Sequence, residues 1–95
     1  MKHHLIFLGL ENERLKEQLK IMSDTLQFNN ELTKLYFDFT INDLTEGSTI
    51  KECEATLKFF EEFEMYEECQ GIYLAIKYAK FFISLSKINY DYEVN

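Results

Sequence analysis

The sequence predicts a small all-α bundle of three to four helices, formed as a single domain over residues 1–95. Three observations carry that prediction. Apolar residues recur at three- and four-residue steps through most of the chain. Proline is absent and glycine occurs only three times, so few positions interrupt a helix. The two clearest breaks are a Gly47 loop and an acidic bend near residue 64. A chain of 95 residues buries one core and leaves no room for a separate catalytic subdomain.

The first element is an amphipathic helix from about residue 5 to 22. Leu8, Leu15, Leu19, Met22 and Leu26 form its stripe, with Glu11, Glu13, Arg14, Lys16, Glu17, Gln18 and Lys20 between them. The 15, 19, 22, 26 spacing is heptad-like but too short for a coiled coil. Ser23-Asp24 fits a cap that opens a second helix, whose stripe is Phe28, Leu32, Leu35, Tyr36 and Phe39. Its end is ambiguous. Leu35, Phe37, Phe39 and Ile41 alternate with polar or mixed residues, so 35–41 also fits a strand, and the tail Ile88, Tyr90, Tyr92, Val94 alternates in the same way. The spacing favours helix over 35–41, with a minor two-stranded patch of 35–41 with 88–94 as the alternative.

Asn42 to Ser48 reads as the clearest loop, and Thr49 with Glu52 fits a capping box. The third helix then runs to about residue 62 on Ile50, Cys53, Leu57 and Phe60. The last helix, about 65 to 88, has two apolar stripes. Met65, Cys69, Ile72, Ile76, Ala79 and Ile83 form one; Leu74, Tyr78, Phe81, Leu85 and Ile88 form the other. Only Lys77, Lys80, Ser84 and Lys87 make a polar strip, which predicts a central helix packed on two sides.

Composition narrows the functional classes. The net charge is −7, from 17 acids and 10 bases, and such a chain repels phosphate backbones. Direct nucleic-acid binding is disfavoured, and a basic protein partner is favoured. Nine Phe and six Tyr are a large ring surface for one small core, so some rings are expected at the surface. Usage rich in Phe, Tyr, Ile, Asn and Lys fits AT-rich coding DNA, as in low-GC bacteria and their phages or mobile elements. The apolar run Leu5 to Leu10 is too short for a signal peptide or a membrane span, so a cytoplasmic location is expected, with no membrane contact.

Three groups could carry chemistry. His3-His4 lack a third ligand in the sequence nearby, and no metal or other cofactor is expected. Cys53 and Cys69 fall on apolar stripes, without CxxC spacing or a neighbouring histidine. With a bend at 63–66 their levels differ by about 9 Å at the helical rise, too far for a disulfide. They read as buried structural thiols. The segment FFEEFEMYEECQGIYLAIK, residues 59–77, holds five glutamates within eight positions. Acid catalysis would need one of them desolvated beside Arg, His or a metal, and no such group accompanies them, so no catalytic residue and no enzyme is expected. Two readings remain, a solvated bend and a docking surface made of Glu54, Glu61, Glu62, Phe63, Glu64, Tyr66, Glu67 and Glu68. Carboxylates beside rings suit an arginine-rich partner. From Glu46 to Glu68 there are eight glutamates against Lys51 and Lys58, whereas Cys69 to Tyr90 carries only lysines. This polar axis would orient a partner.

Glu64, Tyr66, Glu67, Ile72 and Ile76, with Cys69 at a small-residue position, resemble the second half of UVR-type helical hairpins. Gln70 departs from the second small residue, and Tyr73-Leu74 replaces the family's charged pair. The resemblance implies an α-hairpin at 50–76 and a protein-interaction role. In size, charge and composition the chain also resembles small acidic phage and mobile-element proteins that block host defence nucleases, the anti-CRISPR type among them. The expectation is a non-enzymatic inhibitor or adaptor for a larger basic protein, such as one in a nucleic-acid-processing complex. The alternative is a self-assembling homodimeric structural or regulatory protein.

Overall fold

The computed structural model describes the backbone of residues 13–94 and the side chains of residues 13–85. These residues form four helices and no strand: α1 Glu13–Thr25, α2 Glu31–Thr45, α3 Ile50–Glu62 and α4 Tyr66–Val94. The predicted start of the first helix, His3-His4 and Leu8 lie outside the described residues.

α1 buries Leu15 and Leu19, with Met22 and Leu26 half-buried behind them. The helix does not break at Ser23-Asp24 as expected. Ser23 is buried within α1, and its hydroxyl donates to Asp38 Oδ1 on α2. Lys34 Nζ reaches the Ser23 carbonyl at 2.7 Å and Asp38 at 2.9 Å, so this polar trio ties α1 to α2. The cap that opens α2 is Asn30 instead. Its extended backbone and side-chain oxygen, which accepts from the Leu32 and Thr33 N–H groups, satisfy two otherwise unpaired donors of the first turn.

The strand alternative at 35–41 is excluded, because these residues lie in α2, and 88–94 continue α4. The alternation that suggested a strand resolves into two helix faces. Phe37 and Ile41, four residues apart, enter the core, while Leu35 and Phe39, also four apart, face outward. α2 also runs to Thr45, so the expected loop of 42–48 shrinks to residues 46–49. The Gly47 N–H bonds the Leu44 carbonyl and the Ser48 N–H bonds the Asp43 carbonyl. With Gly47 at φ +115, this is a Schellman termination.

α3 opens on the expected capping box. Thr49 Oγ1 accepts from the Glu52 N–H at 3.1 Å, and Glu52 Oε1 accepts from the Thr49 N–H at 2.9 Å. Of its predicted stripe, Cys53 is buried, while Ile50, Leu57 and Phe60 are only half-buried against the core.

α4 is central and packs on all three other helices. Its core seam is Ile72, Ala75, Ile76 and Ala79. At Gly71 the backbones of α2 and α4 approach closely. A Cβ built there would stand 2.3 Å from the Thr33 carbonyl oxygen and 2.8 Å from the Phe37 nitrogen. Thr33 Oγ1 donates across the same crossing to the Glu67 carbonyl at 3.0 Å. The second predicted stripe of α4 is buried only in part, since Leu74 and Tyr78 are half-buried but Phe81 and Leu85 are exposed. Ile88 lies outside the described side chains.

Candidate functional site

The bend between α3 and α4 is short and defined by its hydrogen bonds. The Glu64 N–H donates to the Glu61 carbonyl at 3.0 Å, and the Met65 N–H to the Phe60 carbonyl at 3.2 Å. These are the two bonds of a Schellman motif, with Glu64 in the left-handed position at φ +55. α2 ends in the same motif but places glycine there. α4 then begins at once, with the Cys69 N–H bonded to the Met65 carbonyl at 2.9 Å.

This turn holds most of the expected docking residues on one end of the molecule. Glu61, Glu62, Glu64 and Glu67 are exposed, and Phe63 and Tyr66 are 61% and 70% exposed. Phe59 joins them at 56%, its ring centroid 5.0 Å from that of Phe63. Three exposed rings beside four carboxylates form a mixed apolar and anionic surface.

Two of the expected residues do not belong with them. Glu68 is 8% exposed, because α4 turns this position inward one residue before Cys69. Glu54 is exposed but its carboxylate meets Lys80 Nζ at 2.7 Å, which fastens α3 to α4 some two turns from the bend. Glu67 and Glu68 both lie in the first turn of α4, where the helix dipole favours carboxylates.

Between α3 and α4, beside the bend, lies an open cleft of about 350 Å³ lined by Leu57, Glu61, Tyr66, Cys69, Gln70 and Tyr73. The sequence marked Gln70 and Tyr73 only as departures from the hairpin pattern and not as site residues. Tyr73 falls seven residues after Tyr66, two helical turns along one face, and that spacing was the available signal.

The cysteines are free thiols, and neither is activated. Burial, then the charges of Asp43, Glu52 and Glu54, push the Cys53 thiol up to about 11. Burial and the charges of Glu61 and Glu68 raise the Cys69 thiol as well. Both stay protonated at neutral pH, the reverse of what a nucleophilic cysteine needs. Cys69 is half-buried at the cleft rather than sealed in the core. No group of three His, Cys, Asp or Glu among the described residues could hold a metal ion, and no described helix is long and apolar enough to cross a membrane. Comparison with protein-family models, curated proteins and solved structures gives no match. The likeness of 64–76 to UVR-type hairpins therefore rests on the matched residues alone.

Proposed function

We propose that this chain is a non-enzymatic interaction module, a small acidic inhibitor or adaptor that docks on a larger basic protein of the nucleic-acid-handling kind. Host-directed inhibitors of phages and mobile elements are the class it suits. The observation that carries the reading is the surface at the bend, where exposed Phe59, Phe63 and Tyr66 stand among exposed Glu61, Glu62, Glu64 and Glu67. The adjoining cleft has Glu61 and two tyrosines around an opening large enough for a guanidinium side chain. Arginine is recognised by carboxylates and ring faces together, and the net charge of −7 steers a cationic partner towards the chain.

Glu61, Glu62, Glu64 and Glu67 changed together to Gln remove the charge and keep the shape. Used as baits in nuclease-treated host lysate, wild type should retain a basic protein that this variant loses, and the purified pair should show a shallower salt dependence with the variant. Retention of the same proteins by both baits, with the same salt dependence, refutes the assignment of the bend.

A second reading, a homodimer, is favoured by the number of exposed rings alone. Light scattering at micromolar concentration separates the two. A monomer is expected if the surface serves a foreign partner, and a stable dimer if it serves a second copy.

A further inference from the structure

A second apolar surface adjoins the bend and spans two helices. α2 and α3 pack mainly on α4 and touch each other sparingly. Where they meet, Tyr36 lies edge-on to Phe60 with centroids 5.4 Å apart. Rings continue from that pair in both directions: Tyr36 to Phe39 at 5.5 Å on α2, and Phe60 to Phe59 at 5.7 Å and Phe59 to Phe63 at 5.0 Å on α3. Leu32 and Leu35 extend the α2 side by a turn. Leu32, Leu35, Phe39, Phe59 and Phe63 are all exposed, from 40% to 61%. With roughly 200 Å² per ring, the three phenylalanines alone leave roughly 300 Å² open, at the lower end of the largest apolar patches that monomers expose, which are often functional.

The charges around this strip are one-sided. The exposed stripe of α2 passes from Leu32, Leu35 and Phe39 into Asp43 and Glu46, all exposed. On α3 helical spacing places Glu52 in line with Phe59 and Phe63, and Glu62 on their flank. The short 46–49 loop gathers Asp43, Glu46 and Glu52 at one end of the apolar strip, and Glu62 with the glutamates of the bend stands at the other. Of the lysines, Lys34 is held by Ser23 and Asp38, and Lys51 and Lys58 share the outer face of α3 with Glu62, so carboxylates outnumber free lysines around the strip. A second copy of the chain would set carboxylates against carboxylates in either orientation.

We propose that this two-helix face grips an amphipathic α-helix of the partner, one with large apolar side chains at i, i+3, i+4 and i+7 and Arg or Lys on its flanks and ends. A helix laid along α2 and α3 would cover the ring chain while its cations meet the carboxylates at the two ends. The proposal rests on the reading that the chain docks on a basic protein, and adds which element of that protein is held.

The test uses the full chain, isotope-labelled for NMR, and a synthetic 18-residue peptide with Leu and Phe on one helical face and Arg on both flanks. A peptide of identical composition in scrambled order is the control. The patterned peptide should shift the signals of Leu32, Leu35, Phe39, Phe59 and Phe63. L35S/F39S should weaken it tenfold or more with unchanged salt dependence, whereas Gln at Glu61, Glu62, Glu64 and Glu67 should flatten that dependence. Both serine positions are exposed, and an unchanged melting curve verifies the fold. Equal binding of the scrambled peptide overturns the helix inference but leaves the basic-partner reading standing. If the patterned peptide does not bind, or binds without shifting these signals, the helix inference falls, while the basic-partner reading stands or falls with the bait comparison. A dimer in sedimentation that L35S/F39S abolishes gives the face to a second copy and overturns the proposal.

Discussion

Gly71→Ala sets two physical effects against each other with opposite signs. Gly71 lies inside α4, where alanine is the better helix former by about 1 kcal/mol. Propensity alone therefore predicts a more stable protein. The crossing with α2 predicts the reverse. The new Cβ would lie 2.3 Å from the Thr33 carbonyl oxygen and 2.8 Å from the Phe37 nitrogen. Both are backbone atoms, so no rotamer change relieves the clash, and the helices must separate by about 1 Å to reach ordinary van der Waals contact. A gap of that size forfeits about a quarter to a half of the dispersion well for each contact it opens, and the atoms opened here include fully buried Phe37 and Ile72. The Thr33 hydroxyl would also lose its bond to the Glu67 carbonyl, worth about 1 kcal/mol. With overpacking at about 1–3 kcal/mol, the lost hydrogen bond added and the propensity gain subtracted, the net loss is about 1–3 kcal/mol. For a domain of this size that lowers Tm by about 5–20 °C. Thermal melts followed by circular dichroism at 222 nm measure it directly. A Tm equal to or above wild type would refute the close crossing as the feature that sets how α2 and α4 pack.

Three further predictions follow from local geometry. Cys53, with its thiol raised to about 11 from 9.0, stays protonated in the folded chain after the unfolded chain has ionised. The unfolded state then binds fewer protons, so stability should fall by about 2–3 kcal/mol as pH rises from about 9 to about 11; Cys53→Ala should flatten that limb in denaturant titrations. Asn30→Ala removes the acceptor for the Leu32 and Thr33 N–H groups and should cost about 1 kcal/mol, read as a lower urea midpoint at constant m-value. Glu64→Gly relieves the left-handed backbone at φ +55. It should gain up to about 1 kcal/mol, because the strain of about 1–2 kcal/mol is partly offset by the extra freedom of glycine when unfolded; a lower melting temperature would argue against strain at that bend.

The all-α class was legible because periodicity survives without knowledge of neighbours. So were the Thr49 capping box and the α3–α4 bend, whose signals lie within a few adjacent residues. The Ser23-Asp24 cap misled for a physical reason. Residues that cap helices also satisfy themselves inside a helix when a partner is in reach, and Asp38 with Lys34 supplies one for Ser23. Asn30 had the right chemistry, but the half-buried Phe28 just before it, ring against Phe37, gives the linker an apolar residue that blurs the boundary. Glu68 was grouped with the wet glutamates because only the rotation of α4 distinguishes it from Glu67. Gly71 went unremarked since a glycine inside a helix acquires meaning from the opposing backbone, which lies at Thr33 and Phe37.

The same crossing explains why the surplus rings collect where they do. Gly71, Ala75 and Ala79 make the core side of α4 thin, so α2 sits close, and a small number of large side chains fills the space between them; the largest fully buried are Phe37, Leu19, Leu44 and Ile72. A core that tight has no volume for Phe39, Phe59 or Phe63, and a thicker seam that admitted them would push α2 away from α4. Rings excluded for want of space alone would be scattered over the surface, each beside its own polar neighbours. Phe39, Tyr36, Phe60, Phe59 and Phe63 are instead linked ring to ring across two helices, at centroid distances of 5.0 to 5.7 Å. One of these contacts, Tyr36 to Phe60, joins the two helices and depends on the register of α2 against α3. That contact brings the exposed rings of α2 and α3 onto one flank, and it is the reason we propose that a partner would bind there as well as at the acidic bend.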